Sequence, residues 1–240
     1  SEEERKKLFI LKPLYQRSLI VAAGPIANFI LAVVIFLFIY MFVGKDFTPA
    51  VINEVQKDSP AEVAGLMKND VILEIDGTEV KSILDVSKLI TMSTSDFIDF
   101  KVSRYDQDVL LKVKPNIVET EDNLGNKINK RIIGIMLGPY NNKINHVKLG
   151  PAKALYYSLN EVYFVTISSL KYLGSILTGS GDSSQLGGPI RIAKITGQVA
   201  EFGIVPFLSI MAYISISLGL INLFPIPLLD GGHLMFYGFE

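Results

Sequence analysis

Two stretches of the chain carry no charged residue: the 27 positions between Arg17 and Lys45, and the 28 between Glu201 and Asp230. Each exceeds the roughly 20 apolar residues that a helix needs to cross a bilayer core. Between them the pattern breaks into short apolar runs separated by turn residues, the signature of strands rather than spans. The expectation is a polytopic α-helical membrane protein with two transmembrane helices in this segment and a small β-rich domain inserted between them. The first run, Leu19–Val43, is longer than the roughly 7–15 residues of a signal-peptide core, and no small-residue cleavage pattern follows it. Arg5, Lys6, Lys7, Lys12 and Arg17 precede this run, whereas only Lys45 follows it closely. Basic residues favour the cytoplasmic side, so the N-terminal flank is expected inside, residue 45 outside, and Asp230 near the cytoplasmic end of the returning span.

From Thr48 to about Asn116, AVINEV (50–55) and VILEI (71–75) read as strands, with Asp76-Gly77 as the turn after the second. Ile83, Val86, Leu89 and Ile90 fall at helical spacing behind Ser82, a good N-cap. IDFKVSR (98–104) and DVLLKVK (108–114) flank a turn at 105–107, and Pro115 ends the pattern. Such strands and a helix predict a small, partly open β-barrel. Ser59-Pro60-Ala61, Ala64-Gly65-Leu66, Asp70-Val71-Ile72 and Ile75-Asp76-Gly77 together resemble a bacterial, circularly permuted PDZ domain. Ser59 and Pro60 suit the start of a short helix, and Gly65 its left-handed end. PDZ domains take an extended peptide by strand addition. The resemblance puts the groove between Thr48, Pro49, Ala50, Val51 and Ile52 and the helix at 83–91. That groove serves either to capture a C-terminal peptide or as a structural, autoinhibitory feature.

Beyond Asn116 the chain is polar and turn-rich, with IIGIML (132–137) as one strand and His146 as a solvated surface histidine. A helical stretch then runs from Gly150-Pro151 to about Leu177. Only nine uncharged residues separate Glu161 from Lys171, too few to span. It reads as an amphipathic helix at the outer membrane face, with a core helix of the outer domain as the competing reading. Gly187-Gly188-Pro189 opens another short helix. Composition narrows the chemistry: 23 Lys+Arg against 24 Asp+Glu gives a net charge of −1, which points away from nucleic acid. The chain has no cysteine and only two histidines, His146 and His233, so neither thiol ligands nor a multi-histidine metal site can form from these residues alone.

The second apolar run carries the candidate chemistry. Asn222 is followed by Pro225 and Pro227, then by Asp230-Gly231-Gly232. The prolines break the helical hydrogen-bond ladder, and freed backbone groups at membrane depth must be buried by protein or line a wet cavity. An ionisable group at that depth is a functional candidate. The alternative leaves Asp230 at the membrane interface as the N-cap of a helix over Gly231–Phe239. In the first run, Gly24, Pro25, Ala27 and Asn28 allow a second helix to approach closely; Asn28 reads as a helix-packing residue before a chemical one.

Asn-x-x-Pro-x-Pro-x-Leu-Asp-Gly at 222–231 resembles the C-terminal active-site motif of the site-2 protease family, in its bacterial regulator of sigma-E protease type. Gly24-Pro25-x-Ala27-Asn28-Phe29 and Leu186-Gly187-Gly188-Pro189-Ile190 match that family in the same order along nearly all 240 residues. The resemblance implies an intramembrane metalloprotease with Asp230 as a ligand to Zn2+. Asn222, Pro225, Pro227, Gly231 and Asn28 would shape the active site around it. It implies single-pass membrane substrates such as anti-sigma factors, already trimmed, with the PDZ domain gating them or binding their new C-terminus. It also implies a bacterial inner (cytoplasmic) membrane protein with its PDZ domain on the extracytoplasmic side. The expected division is a cytoplasmic flank (1–18), a span (19–43), the PDZ domain (48–116), an extracytoplasmic linker with amphipathic helices (117–201), a span carrying the motif (202–229) and a cut C-terminal segment (230–240). The family's other ligands and its general base lie in H-E-x-x-H, which does not occur in these residues. The expectation is therefore a segment cut at both ends and inactive by itself, from a protein that is an enzyme when intact. The alternative is a catalytically dead, membrane-tethered PDZ adaptor. A serine protease lacks its Gly-x-Ser-x-Gly elbow, and a transporter its internal repeat.

Overall fold

The structure is a computed structural model that describes residues 12–121, 127–139, 143–178, 188–226 and 229–239. It divides into two compact units: Ser1–Val43, Leu149–Ile167 and Ile195–Glu240 in the first, Gly44–Lys148 and Ser168–Lys194 in the second.

In the first unit, helix α1 covers Leu14–Phe38 and continues through a wider turn over Ile39–Val43, starting five residues before the expected span. It passes through Pro25, which is buried and has no N–H to give the preceding turn. Its partner, named α6 in chain order, covers Ile204–Leu223 and is followed by α7, Asp230–Phe239. Only 22% and 28% of the most apolar windows of α1 and α6 are buried. A core helix of a water-soluble domain would be covered on most sides. Here Leu19, Ile30, Phe38, Leu218 and Ile221 stay exposed, and both helices are long and apolar enough to cross a membrane.

The two spans pack antiparallel. Tyr213 meets Phe36 with ring centroids 5.4 Å apart, and the Ser215 hydroxyl donates to the Asn28 carbonyl at 2.8 Å. Ala32, Ala212, Ile216 and Leu220 are buried along the seam. At Gly219 an added Cβ would lie 3.0–3.2 Å from the Phe29 ring, the Pro25 carbonyl and Asn28 Cβ. Small residues at this crossing let the backbones approach, the usual route to association in lipid.

The second unit contains ten strands among its described residues, beginning with the pair β1 (Lys45–Asp46) and β10 (His146–Val147). Its main sheet has the order β6-β5-β3-β2-β9: β2 is Ala50–Val55, β3 Val71–Ile75, β5 Ile98–Arg104, β6 Gln107–Val113 and β9 Ile135–Gly138. The short β4 (Thr78–Glu79) pairs with β3, while β7 (Asn116–Glu121) and β8 (Lys127–Ile132) form a separate hairpin. Helix α2 (Pro60–Val63) starts on Ser59, whose hydroxyl accepts the Glu62 N–H, and Gly65 closes its end at φ +85°. Helix α3 (Ile83–Met92) carries a complete capping box between Ser82 and Asp85. Ile52, Ile72, Ile75, Val86, Ile98, Phe100, Val102 and Val113 form the core. The fully buried Asp70 carboxylate accepts both Nε (2.8 Å) and Nη2 (2.7 Å) of Arg104, which also donates to the Gly65 carbonyl; Asp70 raises the guanidinium's pKa further.

The strands over 50–55, 71–75 and 98–104, the helix after Ser82 and the short helix after Ser59 stand as the sequence predicts. The sheet, however, takes its last strand, β9, from beyond residue 116. Helix α4 covers Pro151–Leu177 and α5 Pro189–Glu201.

Candidate functional site

Helix α6 stops at Leu223, six residues before the expected end of the second span, and the reason is local. Phe224 precedes Pro225 and so is driven to extended geometry, with ψ 144°. Turns then carry the chain forward: Ile226 N–H donates to the Phe224 carbonyl and Leu229 N–H to the Ile226 carbonyl. Pro225 is exposed; Pro227 lies outside the described residues. Helix α7 begins at Asp230 itself rather than at Gly231, so the carboxylate sits in the first turn, where the helix dipole favours negative charge.

Asp230 is half-buried, and among the described residues no hydrogen bond or ion pair reaches its carboxylate. It lies against α1 at Gly24, where an added Cβ would meet Oδ2 at 3.1 Å. Gly231 is buried against the end of α6, and a Cβ there would overlap the Leu223 and Phe224 carbonyls. Asn28 lies one turn from Gly24 on α1 and touches the Gly219 crossing; its carbonyl accepts from Ser215. Asn222 is one turn beyond Gly219 on α6 and half-buried. The junction of α1, α6 and α7 thus assembles Gly24, Asn28, Asp230 and Gly231. Two turns along, the Arg17 guanidinium stacks over the Tyr237 ring at 5.2 Å.

A half-buried carboxylate without a protein partner among the described residues fits one oxygen ligand of a zinc ion. A full ligand set is not present: among the described residues no three His, Cys, Asp or Glu side chains come together, and His146 lies in β10 of the other unit. His233 is one turn from Asp230 but exposed, with its ring against Tyr237.

The expected peptide groove requires correction. Thr48 is buried and spent on internal bonds: its N–H and hydroxyl donate to Asp46 Oδ1, and its hydroxyl accepts the Asn145 N–H at 2.9 Å. Pro49 is exposed, while Ala50, Val51 and Ile52 are buried. Their strand, β2, pairs with β3 on one side (Ala50↔Ile72, Val51↔Val71) and with β9 on the other (Val51↔Gly138, Ile52↔Leu137). Strand addition needs an open edge, and none exists at 50–52. Among the described residues the open edge on that side of the sheet belongs to β9, whose Ile135 and Leu137 pack on the same core as Val86 and Ile90 of α3. Sequence reading identifies 132–137 as a strand without placing it, because its partner lies about 80 residues earlier and periodicity reports no such pairing. Nearby, Arg131 donates to the Ser95 carbonyl, and burial lowers the pKa of its guanidinium.

The chain is 37% identical to "Putative zinc metalloprotease Atu1380" of Agrobacterium fabrum over 240 residues, all of this chain and 64% of that protein. It is 31% identical to "Metalloprotease MmpA" of Caulobacter vibrioides over 98% of this chain and 62% of that protein. The chain therefore spans slightly less than two thirds of the length of these relatives. The PDZ domain of the SdrC-like protein from Listeria monocytogenes matches 38% of this chain and 88% of its own, with 25% identity and a TM-score of 0.30. Residues 1–240, spans and β-rich insert alike, match the model of peptidase family M50, and the chain belongs to that family.

Proposed function

We propose that the chain is part of a zinc-dependent intramembrane endopeptidase of the regulator of sigma-E protease type, with Asp230 as a metal ligand. The observation that carries this reading is the half-buried Asp230 carboxylate, without a protein partner among the described residues, directly after the break in α6. Zinc held by three protein ligands supplies a bound water whose pKa falls to roughly 7, and so a nucleophile for a peptide carbonyl at neutral pH. The other ligands and the general base are proposed to come from an H-E-x-x-H outside these 240 residues. What this chain contributes is the fixed carboxylate and its surroundings. Phe224–Ile226 leave the helical ladder and close on turn bonds of their own, which leaves the Pro225 carbonyl without a backbone partner among the described residues and suited to a substrate N–H. The amides of Asn222 and Asn28 have no protein partner among the described residues and are suited to hold substrate backbone.

Substrates are proposed to be single-pass membrane proteins in a bacterial inner membrane, with the β-rich unit on the extracytoplasmic side as a PDZ domain. Its peptide would add to the open edge of β9, not to β2. The direct test is Asp230→Ala in the intact protein, assayed on a single-pass substrate. Cleavage is expected to vanish and zinc binding to weaken while membrane insertion is retained. Continued proteolysis would overturn the assignment.

A further inference from the structure

The seat of Asp230 on α1 has a geometry of its own. Asp230 and Tyr237 are seven residues apart on α7; Gly24 and Arg17 are seven apart on α1, in the opposite direction. Asp230 faces Gly24, and Tyr237 lies under the Arg17 guanidinium. Seven residues advance a helix by about 10.5 Å, so the two contacts match the same rise on two antiparallel helices. One contact is a close approach without a side chain, the other a cation over an aromatic face.

We propose that Gly24 is a positioning residue for the Asp230 carboxylate, with the Arg17–Tyr237 contact fixing the helix pair two turns away. This rests on the reading of Asp230 as a metal ligand. A methyl group at position 24 would stand 3.1 Å from Oδ2, some tenths of an ångström inside the ordinary contact of about 3.5–4.0 Å. The carboxylate must then turn or α7 must retreat. Metal–ligand distances tolerate only about 0.2 Å, so a shift of that size is felt at the metal even when the fold survives. Gly219 offers the internal comparison. A methyl there crowds Phe29, Pro25 and Asn28 at 3.0–3.2 Å, and its three nearest neighbours do not include Asp230.

The experiment is zinc affinity by chelator competition, with thermal unfolding alongside, on the intact protein and its variants. Gly24→Ala is expected to weaken zinc binding roughly tenfold or more, the range for residues that orient a ligand. Gly219→Ala is expected to lower the unfolding temperature and leave zinc affinity within about twofold, as it only loosens packing. Tyr237→Leu, which crowds nothing, is expected to weaken zinc roughly two- to fivefold and decides the matter if Gly24→Ala does not fold. Wild-type zinc affinity in Gly24→Ala, or equal losses in Gly24→Ala and Gly219→Ala, overturns the proposal. With Gly24→Ala unfolded, wild-type affinity in Tyr237→Leu does the same. Asp230→Ala separates the two layers: if it keeps its zinc the metal-ligand reading itself fails, whereas if it alone loses zinc only the role of Gly24 fails.

Discussion

A carboxylate removed from water costs several kcal/mol unless a cation or hydrogen-bond donors face it. Asp230 is held half-buried with neither among the described residues, and the residues around it account for how it is held. Pro225 ends α6, Gly231 lets α7 start directly on that end, and Gly24 leaves space for the carboxylate. Gly231→Ala would drive a methyl into the Leu223 and Phe224 carbonyls, which are backbone and cannot swing aside. A loss of about 1–3 kcal/mol of stability is expected in thermal unfolding, together with reduced cleavage, because α7 and its aspartate must shift. Asp230→Asn keeps shape and volume but removes the charge; zinc binding is expected to fall with little change in unfolding temperature. The break in α6 and the helix starting at Asp230 were legible in the sequence through the proline and aspartate motif. The space at Gly24 was not, since contact between positions 24 and 230 depends on how two distant helices cross.

Among the elements, those that form from neighbouring residues follow their sequence closely. Helix α3 is set by Ser82 and Asp85, which bond each other's backbone N–H groups. Ser82→Ala is expected to cost about 1 kcal/mol, measured as a lower unfolding temperature of the β-rich unit. The hairpin of β5 and β6 turns at Tyr105 and Asp106, both at positive φ, and its strands match the apolar alternation. Among the described residues, Arg104 at the end of β5 is the side chain that bonds the Asp70 carboxylate; Met67 N–H supplies a further bond. Arg104→Met would leave that carboxylate buried without its cation, and a loss of about 3–5 kcal/mol is expected by denaturant unfolding. Strand β9 shows the opposite case. The run 132–137 announced a single strand, whereas Ile132 ends β8 and β9 covers only Ile135–Gly138, placed at the sheet edge by a long-range pairing with β2. The groove expected at Thr48–Ile52 therefore fell on a strand with both edges taken.

For the whole molecule, two uncharged runs were readable from charge, the β-rich insert from short apolar runs between turn residues, and the motifs pointed to the family that the chain-long match establishes. The β-rich unit offers β9 as its open edge, with Met136 54% exposed on it and Asn53 in the interior strand β2. A photo-crosslinking residue at Met136 is expected to capture a bound C-terminal peptide; one at Asn53 is not, and the reverse labelling would return the groove to β2. The most direct measurement of the central claim is the zinc content of the purified intact protein with and without Asp230. About one zinc ion per chain in the wild type, and a marked loss in Asp230→Ala at unchanged folding, is the result this account predicts. Equal zinc in both would contradict it.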